Sequence, residues 1–181
     1  MSLIDHLKGR IGEALVESIF SRNGYKVSRL GRESDVQRLM SVGSGEFLPD
    51  LLVWKARAKT CGLHQVLNIE VKYCAKMEEY LRRYWPDDFD QARERWPNLY
   101  FVLVTDRPRD GLSCFQTVWL GNYVPGSVPV PTDICDMRQL QICRSVVAEH
   151  GVLAQQLFGA LRDRMPPRRS MRTAAPLQRL A

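Results

Sequence analysis

Long hydrophobic runs are missing from this 181-residue chain. No stretch approaches the roughly 18 to 20 uninterrupted apolar residues that a membrane helix needs, so no membrane association is expected. Met1 to Arg10 also lacks the apolar run of a secretory signal, and the default expectation is a soluble, cytoplasmic (intracellular) protein. Paired cysteines are missing too. Cys61, Cys74, Cys114, Cys135 and Cys143 are odd in number and never spaced C-x-x-C, which argues against a disulfide framework or a zinc knuckle. Cys61 and His64 form one C-x-x-H pair, and a lone pair of ligands is far more often incidental than a metal site. There is no internal repeat. With 45% hydrophobic and 25% charged residues, the composition fits one globular domain with an appended element.

What is present in surplus is positive charge, at a formal +6, and a basic protein is a candidate for a polyanionic partner. Its placement matters more than its size. From Arg162 onward six arginines (Arg162, Arg164, Arg168, Arg169, Arg172 and Arg179) face one acid, Asp163, so this tail supplies +5 of the +6 and the rest carries +1. Residues 166–181 combine proline, arginine and small side chains with little to bury, and are expected to be disordered. Such a tail adds nonspecific, salt-sensitive affinity for nucleic acid.

Apolar spacing along Met1 to Asn23 (Leu7, Ile11, Leu15, Val16, Ile19) predicts a helix stopped at Asn23-Gly24. Strands are expected at Tyr25 to Leu30, Leu48 to Trp54, Val66 to Tyr73, Leu99 to Thr105 and Cys114 to Leu120. A second helix is expected at Phe89 to Trp96, closed by Pro97, and a loop at Gly31 to Phe47. The order of one helix, three strands, one helix and one strand implies an α/β fold with helices packed on a mixed sheet. Within residues 122–132, Pro125, Gly126, Pro129 and Pro131 mark a linker that closes a core of residues 1–121. Beyond it, residues 133–165 are expected to form a C-terminal helical element capped by Asp133. Its apolar stripe would run through Met137, Leu140, Leu153, Leu157 and Leu161, with Gly151 as a candidate break. The stripe serves either packing on the domain or a homodimer contact.

The chemistry concentrates in the second and third strands. In Ile69-Glu70-Val71-Lys72, residues two apart share a strand face, so the Glu70 carboxylate and the Lys72 ammonium project together. Asp50 follows Pro49 at the start of the preceding strand, and an antiparallel hairpin would bring it beside Glu70. Two converging carboxylates suit Mg²⁺ or Mn²⁺, which favour oxygen ligands and retain waters. Lys72 beside them could orient or help deprotonate an attacking water and offset charge on a pentavalent phosphorus.

Pro49-Asp50, a gap of nineteen residues and then Glu70-Val71-Lys72 resembles the PD-(D/E)XK motif of the restriction-endonuclease-like nucleases. Lys8-Gly9-Arg10-Ile11-Gly12-Glu13 on the first helix is similar to the acidic signature of archaeal Holliday-junction resolvases. The resemblance spans roughly Lys8 to Thr105. It implies a restriction-endonuclease-like core of order αβββαβ with a C-terminal helical extension, and a Mg²⁺-dependent DNA endonuclease. Asp50, Glu70 and Val71 would be metal ligands assisted by Glu13, with Glu13, Asp50, Glu70 and Lys72 as the catalytic set. Glu17 competes with Glu13 for the helix position, and Gln91 matches a glutamine that some relatives place beside the metal.

Each piece has a plainer meaning. Glu70 with Lys72 is also the pattern of a solvated charge pair, Asp50 after proline that of a turn, and Glu13 that of an exposed helix face. Their joint occurrence on compatible elements favours the nuclease. The alternative is a catalytically inactive nuclease-fold module that binds nucleic acid or protein. Arg10, Lys26, Arg29 and Arg32, together with Tyr80, Arg82, Arg83, Tyr84 and Trp85, offer cations and rings as a substrate surface.

Overall fold

The structure, a computed structural model, describes residues 3–30, 47–56, 64–83 and 92–163. Helix α1 (Leu3–Arg22) buries Leu15, Val16, Ile19 and Phe20, the three- and four-residue spacing that turns one helix face to the core. It ends where the sequence places the stop. Gly24 has φ +80°, which glycine adopts without strain. The Gly24 N–H then bonds the Ser21 carbonyl at 3.0 Å and the Tyr25 N–H bonds that of Phe20 at 3.1 Å, closing the helix in a Schellman motif.

The chain then lays down strands β1 (Lys26–Arg29), β2 (Leu51–Ala56) and β3 (His64–Tyr73) as an antiparallel meander. Helix α2 (Met77–Arg83) and a helical turn at 92–95 carry it across the sheet to β4 (Leu99–Val104), which pairs parallel to β3. Strands β5 (Phe115–Trp119) and β6 (Thr132–Asp133) follow antiparallel, giving one six-stranded mixed sheet in the order β1-β2-β3-β4-β5-β6. The fold is therefore α/β, as its hydrophobic pattern indicates. Strand β4 is buried at all six positions because helices cover both its faces. Tyr100, Val102 and Val104 face the core shared with α1, whereas Leu99, Phe101 and Leu103 face a second cluster with Leu81 and Ala92.

Past the Pro/Gly-rich stretch the chain returns to the first core. Residue Asp133 lies in β6 rather than capping a helix, and helix α3 (Arg144–Asp163) begins eleven residues later. Leu140 and Ile142 fill the core between them. The buried stripe of α3 is Val146, Val147, His150, Ala154 and Phe158, while Leu153 and Leu157 are 42% and 37% exposed. Of the expected stripe, Leu153 and Leu157 are thus turned off the packed face, whereas Met137, Leu140 and Leu161 pack against the core. Gly151 does not break the helix; its carbonyl accepts from the Cys114 thiol at 3.7 Å. No described helix is long and apolar enough to cross a membrane.

Helix α2 lies where the sequence shows no clear helical period, since only Leu81 of its seven residues is buried. The expected helix at Phe89 to Trp96 is described only from residue 92. The Gly31 to Phe47 loop up to residue 46, Arg32, Cys61, Tyr84, Trp85, Gln91 and the tail from Pro166 lie outside the described residues.

Candidate active site

The β2–β3 register decides the local geometry. Leu51 pairs with Ile69, so Asp50, one residue earlier, stands opposite Glu70. The Val71 N–H donates to Asp50 Oδ2 at 2.8 Å and fixes that carboxylate against β3 beyond the last pair of the ladder. In a strand the N–H and C=O of one residue leave on the same side, so the Val71 carbonyl also projects toward Asp50.

Side-chain alternation sorts the rest of β3. Ile69, Val71 and Tyr73 belong to the core under α1, while Cys74 belongs to the opposite cluster with Leu81. Glu70 and Lys72 therefore share Cys74's face. Lys72 Nζ sits 2.5 Å from Glu70 Oε1, with the lysine side chain 36% exposed and that of the glutamate 4%. The cation can reach a substrate that the carboxylate cannot. Glu70 Oε2 is buried and meets no donor among the described residues.

Electrostatics reflect this crowding. Burial, then the neighbouring Asp50 charge, push Glu70 up to about 8 against the partial relief of Lys72. Asp50 is raised by burial, with the Val71 N–H and Lys72 pulling it back. Glu13 is raised by burial and by Asp50, opposed by Arg10, whose Nη1 lies 3.0 Å from Glu13 Oε2. Glu17 instead pairs with Arg29 at 2.5 Å. Of the two competing helix glutamates, Glu13 is the one coupled to Asp50.

No protein-family model, no curated protein and no solved structure matches the chain.

Among the described residues no group of three or more His, Cys, Asp or Glu side chains is gathered to hold a metal ion. The donor set at hand is smaller: the Asp50 and Glu70 carboxylates, the Val71 carbonyl and water. It still suits a divalent cation of the Mg²⁺ kind, which takes one or two carboxylates and keeps several waters. A buried carboxylate oxygen that meets no donor among the described residues, and a Glu70 carboxyl that burial and the Asp50 charge both push up, are what a cation between the two acids would relieve.

Of the residues singled out in the sequence, Asp50, Glu70 and Lys72 lie together, and Glu13 lies near enough to Asp50 to feel its charge. Sequence reasoning misses the partners of the acids. Arg10 and Arg29, read as substrate contacts, each hold a glutamate of α1. That pairing depends on how α1 lies against β1, which no local spacing encodes. Arg82 and Tyr80, also read as substrate contacts, fall on α2, where Arg82 reaches Glu78 at 3.5 Å and Tyr80 packs against the second cluster.

Proposed function

We propose that this chain is a Mg²⁺-dependent nuclease that hydrolyses DNA phosphodiesters through a PD-(D/E)XK site on a restriction-endonuclease-like core. One observation carries the reading: Asp50, Glu70 and Lys72 converge at the adjoining ends of β2 and β3, with a buried Glu70 oxygen that meets no donor among the described residues. The order of elements supports it: α1, three strands, a helical crossover and β4 on one mixed sheet follow the αβββαβ order that the resemblance implies.

Asp50, Glu70 and the Val71 carbonyl would hold the cation, with Glu13 assisting from α1. Mg²⁺ bound there supplies positive charge against the phosphoryl oxygens and makes water more acidic. The Val71 N–H keeps Asp50 from rotating away. Lys72, exposed enough to touch substrate, orients the attacking water and offsets charge that builds on the phosphoryl oxygens. Arg10 pairs with Glu13 and offsets part of the charge it would carry near Asp50.

A second reading, a nuclease-fold module without turnover, draws on the Lys72–Glu70 pair, in which the ammonium already occupies one carboxylate oxygen. Labelled duplex, single-stranded, flap and four-way-junction DNAs, each incubated with Mg²⁺, Mn²⁺ or EDTA, separate the two. The nuclease cuts at least one of them and only with metal. Binding without cutting on every substrate would leave the module.

A further inference from the structure

Just past Cys74, on the sheet face that carries Glu70 and Lys72, a cavity of about 800 Å³ opens between α2, the loop after β4 and the stretch before β6. Its apolar walls include Met77, Leu81 and Leu112. Five of its lining side chains are cations and two are acids, a surplus of three. The chain before the tail carries a surplus of only one, so this cavity concentrates positive charge that the remainder does not have. The two acids are already engaged: Glu78 by Arg82 and Arg109, Glu79 by Lys76. Arg107 is exposed and has no carboxylate partner among the described residues.

Such walls select a ligand that is both anionic and flat-faced. Pockets of roughly 300 to 1,000 Å³ enclose small ligands, which fits a short stretch of one nucleic-acid strand and excludes a duplex. Position supplies the rest. Ala75, the first residue lining the cavity, follows Lys72 by three residues, about 10 Å at the rise of an extended chain. One backbone can therefore pass Lys72 and continue into the cavity.

We propose that this cavity is a single-strand subsite, holding unpaired nucleotides that flank the phosphodiester addressed by Glu70 and Lys72. Bases lie against Met77, Leu81 and Leu112, and phosphates meet Arg107 and Arg109. The assignment rests on the nuclease reading for the identity of the polyanion. Within that reading it favours substrates with an unpaired end or branch over uninterrupted duplex.

The test is binding without turnover. A labelled oligothymidylate of about eight nucleotides and a blunt duplex of the same length are each titrated, in EDTA, with the full chain, Arg107→Glu and Leu112→Asp. Salt near 0.2 M suppresses the contribution of the basic tail. Leu112 is 41% exposed and Arg107 is on the surface, so both variants keep the fold, as circular dichroism will verify. The wild type should bind the single strand more tightly than the duplex, and each variant should weaken single-strand binding by about tenfold while leaving duplex binding unchanged. Unchanged single-strand binding in both variants overturns the proposal. So does equal preference for duplex, or displacement of the oligonucleotide by ATP at lower concentration than by unlabelled oligothymidylate, which would make the cavity a small-nucleotide site. Because no cleavage is read, these outcomes stand apart from failure of the nuclease reading, which shows as absence of metal-dependent cutting.

Discussion

Glu70 is a carboxylate in a place that resists charge. Only 3% exposed and beside Asp50, it is held up near 8 against an ordinary value of 4.5. The folded state thus binds a proton more tightly than the unfolded chain does. Its stabilising contribution is complete below about 4.5 and is lost as pH rises through about 8. In EDTA, Glu70→Gln should therefore unfold at higher urea than the wild type at pH 9, by a few kcal/mol, and differ little at pH 4. Equal midpoints for the two proteins at pH 9 would contradict the burial described. At the site itself, Asp50→Ala should abolish cleavage with the fold retained, because it removes one of two carboxylates; cutting that persists would sink its role as ligand. These residues were legible in the sequence because a strand's period is two and a hairpin fixes which residues face one another. The Lys8 Nζ–Tyr73 OH–Asp106 chain, at 2.9 and 3.0 Å, was not, since it joins residues 65 and 33 positions apart with no local pattern.

Among the elements, α3 shows where periodicity misleads. Leu153 and Leu157 have helical spacing, and so do Val147, Ala154 and Phe158. The second set packs because α1 offers Ser18 to His150 Nε2 at 2.9 Å and Arg22 to Glu149 at 2.6 Å, which sets the rotation of α3. Its far end is tied by Arg162, which donates to Asp106 at 2.9 Å. Arg162→Ala leaves that buried carboxylate with one fewer donor and should cost on the order of 1 to 2 kcal/mol in urea unfolding. No loss would mean that α3 is held by packing alone. Helix α1 offers the opposite case. A methyl group at Gly12 would meet Val104 and Val71 at 3.6 to 3.7 Å, ordinary contact distances. Gly12→Ala should therefore stabilise the protein by about 0.5 to 1 kcal/mol through helix propensity, and destabilisation would show α1 lying closer to the sheet than described. Helix α2 escaped notice for a related reason: charged residues at Glu78, Glu79, Arg82 and Arg83 leave only Leu81 to mark an inner face.

Over the whole molecule, one mixed sheet with helices on both faces puts two acids and a lysine where β2 and β3 meet, and opens a cationic cavity farther along the same face. Charge on the body of the chain is local, whereas the tail carries its own surplus. Deleting residues 166–181 removes four arginines, and the slope of log affinity against log salt for DNA should flatten by at most about 4. An unchanged slope would show that the tail does not touch phosphate. The central claim is that Glu70, Asp50 and Lys72 cut DNA with a divalent cation. It is tested most directly by incubating the labelled DNA panel with wild type and Lys72→Ala, in Mg²⁺ and in EDTA. The account predicts cutting by wild type in Mg²⁺ alone and none by Lys72→Ala; cutting that survives either EDTA or the loss of Lys72 would contradict it.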